Sequence, residues 1–338
     1  MNKRVTMSEL AKQAQVDIST VSRALADSPL VKQKTKDHIM KLADELGYVV
    51  NASAQSLRRQ SSNMLGIVIP IDAKSEQTIS DPFYLEMVGA VSNAAARAGY
   101  DLVISLPQSE SQIAERRLLQ TGRADGLIVI GQAGRSDRLN EASDLRKNVV
   151  VWGGRFAHNR YTFVGSDNEK GGRLAAEHLF SVGRRRILFL GDVSLPEVQL
   201  RYDGFAAVHT KARRSHDKRL ILPVNFGGRK AYKAVIEFAK SGVEFDAIFA
   251  ASDVLAMAAI HALHSVKLSV PNDVSVVGYD NIGQSALSTP ALTTINQNIA
   301  QGGELLVSLL LKKINGERVR SRLTNTELVV RQSSVPNR

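Results

Sequence analysis

Four positions near the start of the chain carry side chains of the kinds that contact nucleic acid. Ile18, Ser19, Ser22 and Arg23 would lie on the exposed face of a helix that begins at residue 18. An arginine can form two parallel hydrogen bonds with guanine, small hydroxyls can hold a phosphate, and isoleucine can touch the methyl group of thymine. These residue types predict a surface that reads DNA. The alternative is a three-helix packing domain without a ligand, because helical spacing alone does not separate the two.

Local signals predict the helices that would hold these side chains. Thr6 and Glu9 are spaced as a capping box, in which the threonine hydroxyl accepts from a helical amide and the glutamate bonds the threonine amide. Asp17 is a good N-cap for a second helix over residues 18–26, and apolar spacing predicts a third helix over residues 33–46. Two short helices joined by a tight turn and braced by a third form a helix-turn-helix, whose second helix enters the major groove.

The composition agrees with a nucleic-acid partner but does not locate it. The length of 338 residues suggests about two domains, and 44 Lys and Arg against 33 Asp and Glu give a net charge of +11. Only ten of the basic and six of the acidic residues lie in the first sixty positions. Cysteine is absent, which excludes thiol catalysis and disulfides. Without a secretory signal or an apolar run of roughly 18 residues, the chain is expected to be cytoplasmic, with no membrane contact.

Signatures of enzymes are absent from the sequence. The nucleophile elbow, the Walker A loop and the dinucleotide-binding glycine pattern do not occur. His261 and His264 share a predicted helix but lack the H-E-x-x-H form of a zinc site. Asp253 and Asp280 could do acid–base work, although nothing in the sequence fixes the distance between them. The sequence therefore predicts a protein that is not an enzyme and has no metal site and no cofactor.

From residue 65 onward, short aliphatic runs alternate with amphipathic stretches. Such alternation predicts parallel α/β sheets covered by helices on both faces, and the length favours two similar lobes. Ligands of open α/β sheets bind at the carboxyl ends of the strands. The predicted strands are 65–69, 101–106, 126–130, 149–152, 186–190, 247–250 and 274–277. The predicted helices are 82–98, 112–120, 168–182, 202–211, 230–241, 254–265 and 301–314.

Several segments carry a family pattern in register. The run VTMSELAKQAQVDISTVSRAL begins at Val5, and KLADELGYVVNASAQSLR begins at Lys41. Further along stand VGSDNEKGGRLAAEHLFSVGRRRILFLGD from Val164, RYDGF from Arg201, FAASDVLAMAAIHAL from Phe249, VPNDVSVVGYDN from Val270 and TPALTTI from Thr289. Together these segments resemble the LacI/GalR family of transcriptional regulators.

The resemblance implies a multi-domain fold, in which a small all-α helix-turn-helix head precedes an α/β domain of the periplasmic-binding-protein-like kind with two lobes and parallel sheets. Residues 1–50 would form the DNA-binding domain, residues 51–60 a hinge helix or linker, and residues 61–338 the effector-binding and dimerisation domain. The chain would pass between the lobes three times. The first lobe would take about 63–165 and 293–323, and the second about 166–290 and 324–338.

The resemblance also assigns DNA contacts. Thr20 and Ser22 would contact phosphates, while Ile18, Ser19 and Arg23 would contact base edges. In the hinge helix, Leu57 would wedge between central base pairs in the minor groove, a known way of bending DNA. The predicted DNA-binding residues are Thr6, Ile18, Ser19, Thr20, Ser22, Arg23, Asn51, Ala54 and Leu57.

Two positions depart from the family pattern. Gln15 stands in the turn where the family usually has glycine, and a positive φ there would cost about 1 kcal/mol without glycine. Lys32 stands where the family often has a serine that caps the third helix and holds phosphate. Lysine is a poor cap, but it can contact phosphate as a point charge.

The family places a small-molecule effector in the cleft between the lobes. Sugar sites combine planar hydrogen-bonding groups with aromatic platforms, because a pyranose has a ring of hydroxyls and apolar faces. Alternatives remain for three of the candidates: an inter-lobe salt bridge for Arg201, helix capping for Asp253 and core packing for Phe83. The only tryptophan, Trp152, would lie near the cleft and report binding. The candidate effector-binding residues are Phe83, Tyr84, Arg155, Asp167, Arg201, Phe226, Ser252, Asp253 and Asp280.

These patterns predict a ligand-controlled repressor of carbohydrate-utilisation genes. A homodimer would bind a pseudo-palindromic operator of double-stranded DNA, and a sugar or glycoside would induce its release. A purine-responsive repressor is the alternative within the family, since Phe83 and Tyr84 also suit purine stacking. A solute-binding protein for uptake is the alternative from another class. The chain ends soon after ELVVRQSS without leucine heptads, so a dimer is expected rather than a tetramer.

Overall fold

The computed structural model describes residues 5–48, 61–71, 77–106, 114–132, 136–145, 148–211 and 216–335. The chain forms two compact units, residues 1–62 and residues 63–338. The predicted hinge residues Asn51, Ala54 and Leu57 lie outside the described residues. Within the described part, no helix combines the length and the apolarity needed to cross a membrane.

The first unit contains the predicted helix-turn-helix with its bracing helix. The three helices are α1 (Met7–Gln13), α2 (Ile18–Leu25) and α3 (Gln33–Glu45). Leu10, Val21 and Ile39, one from each helix, are fully buried and form the centre of a small core. Because each helix contributes apolar residues at helical spacing, the three pack around one point and leave their other faces to solvent.

Two predictions about helix starts have different outcomes. The capping box is confirmed, because Thr6 Oγ1 accepts from the Glu9 amide at 3.2 Å and the Thr6 amide donates to Glu9 Oε2 at 2.7 Å. Asp17 occupies the N-cap of α2, but the prediction that its side chain caps the helix is wrong. The amide of Thr20, which that side chain would bond, donates to the Asp17 carbonyl at 2.9 Å instead.

Two residues of the head shape its turns in ways that the sequence does not show directly. Gln15, where the family usually has glycine, has a φ of 53° in the turn between α1 and α2, so the turn does require a positive φ. Lys36 of α3 is buried and donates from Nζ to the carbonyl and the carboxylate of Asp27, at 3.2 and 2.6 Å. This lysine ties α3 to the turn that follows α2, a contact that sequence reasoning missed.

The second unit contains two six-stranded sheets, as the predicted two lobes require. The first sheet has the order β11-β5-β4-β3-β1-β2 and the second β12-β10-β9-β8-β6-β7. Their strands are β1 (Met64–Val68), β2 (Asp101–Ser105), β3 (Gly126–Ile130), β4 (Val149–Trp152), β5 (Thr162–Gly165), β6 (Ile187–Leu190), β7 (Ile221–Leu222), β8 (Ala247–Ala250), β9 (Ser275–Asp280), β10 (Thr293–Asn296), β11 (Arg322–Leu323) and β12 (Glu327–Val329). All pairs are parallel except β10 with β12, which is antiparallel.

Helices cover both sheets, and the central strands are buried from end to end. This burial explains their continuous aliphatic sequences. The helices of the second unit are α4 (Pro82–Arg97), α5 (Ala114–Gln120), α6 (Ser136–Leu145), α7 (Asn168–Ser181), α8 (Pro196–Lys211), α9 (Gly228–Lys240), α10 (Asp253–Ser265), α11 (Gly283–Leu287) and α12 (Ile299–Ile314).

The chain passes between the two sheets after β5, after β10 and after β11. The second passage lies later than predicted. Residues 293–296 were assigned to the first lobe, but they form β10, which pairs with β9 in the second sheet. Thr293 lies opposite Val277 in this pairing, and the side chains of Thr293 and Thr294 are fully buried in the second lobe. Only after Asn296 does the chain return to the first lobe, where α12 packs on α4.

Candidate functional site

The outer face of α2 presents the predicted base-contacting residues to solvent. Ile18, Ser19 and Arg23 are exposed, and 45% of the Ile18 surface is accessible although the side chain is apolar. Thr20 and Ser22, the predicted phosphate contacts, are half-buried. Val21 and Ala24 face the core instead, so the helix separates a packing face from a polar face with one exposed apolar residue.

Two further head residues bear on DNA contact. The Thr6 hydroxyl donates to Glu9 Oε2 at 2.9 Å as part of the capping box, so its DNA role stays a prediction. Lys32 occupies the N-cap of α3 without a side-chain hydrogen bond to the helix, and it is exposed. A capping serine would hold a helical amide at this position, whereas the lysine leaves its ammonium group in solvent.

A cavity of about 160 Å³ lies at the carboxyl ends of strands from both sheets, and we refer to it as the inner cavity. This is the edge at which ligand sites of open α/β sheets lie. Six of the nine predicted effector residues line it: Phe83, Tyr84, Arg201, Phe226, Ser252 and Asp280. Trp152 also lines it, as expected for a reporter near the cleft.

Asp280 and Arg201 are two of the titratable residues that line the inner cavity. Asp280 ends β9 with a φ of 126°, and its Oδ1 accepts a hydrogen bond from Nε2 of Gln297. Burial raises the pKa of Asp280 well above its usual range, the guanidinium of Arg201 opposes that rise, and the carboxylates of Asp253 and Asp81 add to it. The second carboxylate oxygen accepts no hydrogen bond from the described residues, so it is available to a ligand hydroxyl.

The guanidinium of Arg201 is held by its own lobe. Nε donates to Asn168 Oδ1 at 2.8 Å, Nη1 donates to the Ala251 carbonyl, and the group lies 3.8 Å from the centre of the Tyr279 ring. Within the described part of the chain it forms no salt bridge, so the alternative of an inter-lobe ion pair is wrong. Nη2 donates to no described residue and remains for a ligand.

Aromatic rings form one wall of the inner cavity. The Phe83 ring lies 5.7 Å from Tyr84 and 6.3 Å from Trp152, centre to centre. The Tyr84 hydroxyl donates to Gln77 Oε1 at 3.2 Å, and burial raises the pKa of this phenol. Phe83 is only half-buried and faces the cavity as well as the core, so it can offer a ring to a sugar face.

Three predicted effector residues lie elsewhere. Asp167 caps α7 by accepting from the Lys170 amide at 2.9 Å, and Arg155 is exposed outside the cavity. Asp253 is fully buried, where it accepts from the Ile282 amide at 2.9 Å and from the Thr294 hydroxyl. The alternative of Asp253 as a helix cap is also wrong, because Ser252 caps α10. These three side chains do not line the inner cavity, and their contact with an effector stays a prediction.

Sequence reasoning missed several lining residues. Gln297 follows β10, a strand that was not predicted, and Glu197 lies in the first turn of α8, whose predicted start was six residues too late. Asp81 had a usable signal, because an Asp before a Pro is a common start of a helix, and Asp81 does cap α4. The missed polar residues are Gln77, Asp81, Gln132, Glu197, Asn225 and Gln297.

Two carboxylates join the lobes at the edge of the cavity. Glu197 of the second lobe accepts from the Gln132 amide of the first at 3.2 Å, and burial raises the pKa of this glutamate. A second bond has its acceptor in the first lobe: Glu86 of α4 accepts from the amide of Gly283, at the start of α11 in the second lobe, at 2.6 Å. A ligand between the lobes can therefore change the contacts that hold them together.

Known proteins share both parts of this architecture. The family model described as bacterial regulatory proteins, lacI family, matches residues 6–51, and that of the periplasmic binding protein-like domain matches residues 176–334. The ribose operon repressor of Halalkalibacterium halodurans is 30% identical over 335 residues, covering 97% of each chain. The transcriptional repressor PurR of Haemophilus influenzae is 29% identical over 340 residues, covering 97% of this chain and 98% of that one.

The solved structures point the same way. The lac repressor dimer bound to operator and the anti-inducer ONPF superposes with a TM-score of 0.88 at 25% identity, covering 98% of this chain and all of the other. The order of the elements, and not only the head, is therefore shared with proteins of this kind.

Proposed function

The chain belongs to the LacI family of bacterial regulatory proteins, and we propose that it represses genes of carbohydrate use until a sugar or glycoside occupies the inner cavity. The observation that carries the proposal is the pairing of two surfaces in one chain. An exposed face of α2 carries Ile18, Ser19 and Arg23, while a separate unit holds Asp280 and Arg201 with unused polar atoms beside a wall of aromatic rings.

The outer face of α2 is proposed to read the operator. Arg23 would bond guanine, Ile18 would touch a thymine methyl, and Ser19 would contact a base edge, while Thr20, Ser22 and Lys32 would bind phosphates. Two copies of the head in a homodimer would read the two halves of a pseudo-palindromic site. The lac repressor structure that this chain resembles is a dimer on its operator, which supports this arrangement.

The inner cavity is proposed to bind the effector by its hydroxyls. The free atoms of Asp280 and Arg201 would accept from and donate to neighbouring hydroxyls, and the rings of Phe83 and Trp152 would cover an apolar face. The similarity to a ribose operon repressor supports a sugar. Asp280 can accept a hydrogen bond and Arg201 can donate one. Two neighbouring hydroxyls of a sugar can satisfy both, whereas a ligand group that only donates or only accepts can satisfy one.

Repression and release would need binding alone, without a chemical step. A sugar between Gln132 and Glu197 would change the contacts that join the lobes, and the change would reach the heads through residues 51–60. Such coupling is reciprocal, so DNA must alter sugar affinity by the same factor, typically about 5- to 150-fold. Because its target would be chromosomal DNA, we expect the protein to act in the cytoplasm.

Electrophoretic mobility tests the proposal directly. The purified protein should retard a pseudo-palindromic fragment from upstream of its own gene at low salt, and a shuffled fragment of equal length far less. Addition of mono- and disaccharides should release the specific fragment. Absence of a retarded band at low salt would refute a DNA-binding repressor, and tightening by a purine base would refute sugar induction.

A further inference from the structure

A second cavity adjoins the inner cavity on its solvent side. This outer cavity has a volume of about 430 Å³. Gln77, Asp81 and Phe226 line both cavities, so the two meet at these three side chains. The other residues of its lining are Thr78, Ser80, Pro82, Gly227, Gly228, Arg229 and Val254.

The two cavities differ in chemistry. Aromatic rings dominate the inner cavity, where Phe83, Tyr84 and Trp152 stand on one side. The outer cavity has no aromatic ring of its own beyond the shared Phe226, and its lining includes the exposed hydroxyls of Thr78 and Ser80 and the exposed guanidinium of Arg229. A ligand that fills both must therefore present an apolar face at one end and a polar surface at the other.

Size separates the two cavities as well. At about 160 Å³ the inner cavity is smaller than the sites of about 300–1,000 Å³ that hold drug-sized ligands. The outer cavity falls within that range. The inner cavity therefore has room for one small ring, and a larger effector would extend outward past the three shared side chains.

Two hydrogen bonds hold the side chain of Asp81 where the cavities meet. Asp81 accepts from the Phe83 amide at 3.0 Å as the cap of α4, and Nε2 of Gln77 donates to its other oxygen at 3.3 Å. Its carboxylate is thus fixed between the cavities. Because each carboxylate oxygen can accept more than one hydrogen bond, it can also accept hydroxyls from groups on either side.

We propose that the effector is a carbohydrate of at least two rings, with one ring in the inner cavity and a second in the outer cavity. This proposal rests on the proposed function and specifies its ligand. An alkyl or aromatic group in place of the second ring would displace water from Thr78, Ser80 and Arg229 without replacing its hydrogen bonds, which loses affinity. A second sugar ring replaces them.

Calorimetric titration of the full chain tests the proposal. The probes are D-glucose, D-galactose and D-xylose, their methyl and phenyl glycosides, and disaccharides that contain them. We expect at least one disaccharide to bind about tenfold more tightly than its own monosaccharide and the matching methyl and phenyl glycosides. Equal or tighter binding of a monosaccharide, or no binding of any probe, would overturn the proposal.

Variants of the outer cavity locate the second ring. Arg229→Ala and the space-filling Ser80→Tyr should bring disaccharide affinity down to that of the monosaccharide and leave monosaccharide affinity unchanged. Lys230→Ala is the matched control, because Lys230 is the next exposed residue of α9 and does not line the cavity. Equal weakening of both sugars in Arg229→Ala and Ser80→Tyr would contradict a separate outer site.

The operator assay keeps this inference separate from the proposed function. Specific retardation of DNA together with no preference for disaccharides would refute the two-ring effector alone. Loss of specific retardation in the wild-type protein would refute the repressor itself, whatever sugar it binds.

Discussion

Asp280 combines a strained backbone with a place on the wall of the inner cavity. Its φ of 126° is a conformation that costs an L-residue on the order of 1–3 kcal/mol and persists only where the surroundings hold it. Here the Gln297 side chain donates to the carboxylate and the Gln297 amide approaches the Asp280 carbonyl at 3.4 Å. Strain of this kind concentrates at ligand sites, which fits the position of Asp280 on the cavity wall.

Replacing the acid by its amide tests this role. Asp280→Asn keeps the shape and the bond from Gln297, because the asparagine oxygen can accept it, but it replaces the free carboxylate oxygen by an NH2 donor. We expect sugar affinity to fall by about tenfold, because a ligand hydroxyl that loses its acceptor is left unsatisfied in a buried site, at a cost of about 1–3 kcal/mol. Operator binding without sugar should be unchanged. Loss of operator binding in this variant would show that Asp280 supports the fold instead.

The buried carboxyl of Asp253 should make the free energy of unfolding depend on pH. Burial raises its pKa to about 7, whereas an aspartate of an unfolded chain titrates near 3.9. A raised folded-state pKa means that the contribution of this group to stability is fully present below about pH 4 and is lost as the pH rises through about 7. Asp253→Asn cannot titrate, so its thermal midpoint relative to wild type should rise from pH 5 to pH 8.

Thermal unfolding at several pH values measures this difference. Asp144→Asn is the control, because Asp144 is exposed and pairs with Arg160 at 2.7 Å. That substitution should change the midpoint little. A constant difference between Asp253→Asn and wild type across the range would contradict the titration of a buried carboxyl.

At the scale of elements, two glycines bring Arg201 to its place. Helices α7 and α8 pack so closely that a Cβ on Gly172 would lie 1.9 Å from the Arg201 carbonyl oxygen, and one on Gly204 would lie 1.9 Å from the Glu169 carbonyl oxygen. This approach places Asn168 of α7 beside the guanidinium of Arg201. The arginine thus depends on the spacing of two helices as well as on its own contacts.

Gly204→Ala should force these helices apart. The added methyl meets backbone rather than a flexible side chain, so we expect a loss of roughly 1–3 kcal/mol in unfolding free energy together with weaker sugar binding. Gly89→Ala of α4 is the matched control, because nothing lies within 4 Å of its added methyl. It should stabilise the protein by roughly 0.5–1 kcal/mol. Unaltered sugar affinity in Gly204→Ala would show that Arg201 does not need this packing.

In the turn between α1 and α2 glycine is absent, although the backbone conformation there favours it. Gln15 adopts a φ of 53°, which costs a residue with a Cβ about 1 kcal/mol relative to glycine. Gln15→Gly should therefore raise the protection of amides in α1 and α2 against hydrogen exchange. Gln13→Gly, at the exposed end of α1, should lower it, because glycine is a poor helix former. Lower protection in Gln15→Gly would contradict the strained turn.

Prediction from sequence succeeded where pattern and burial agree. Strands such as Gly126–Ile130 and Ala247–Ala250 are continuous aliphatic runs buried on both faces, and their bounds were predicted without error. The sequence did not mark β5 and β10 as strands, because TFVG and TTIN lack an aliphatic run. The missing β10 also hid Gln297, so the partner of Asp280 could not be predicted.

The roles of individual side chains were predicted correctly in some cases and not in others. Motif position placed Arg201 and Asp280 at the cavity, yet the same reasoning placed Asp167 and Asp253 there as well. Whether an acid faces a ligand or a backbone amide depends on its orientation at a strand end, which neither spacing nor composition reveals. Asp167 and Asp253 satisfy amides of their own lobe.

At the scale of the whole molecule, the net charge of +11 divides unevenly between two functions. The first sixty residues carry ten basic and six acidic residues, so their net charge is small, and we propose that specificity for DNA depends on a few side chains of α2 instead. The larger share of the excess lies on the unit that contains the cavity. Because binding releases counterions from the DNA, operator affinity should still fall as the salt concentration rises.

The most direct test of the whole account is reciprocity between the two sites. Operator affinity is measured with and without the best-binding sugar, and sugar affinity is measured by Trp152 fluorescence with and without operator. We predict that each ligand weakens the other by the same factor, about 5- to 150-fold, and that a shuffled DNA has no such effect. Sugar and operator affinities that are independent of each other would contradict a sugar-released repressor.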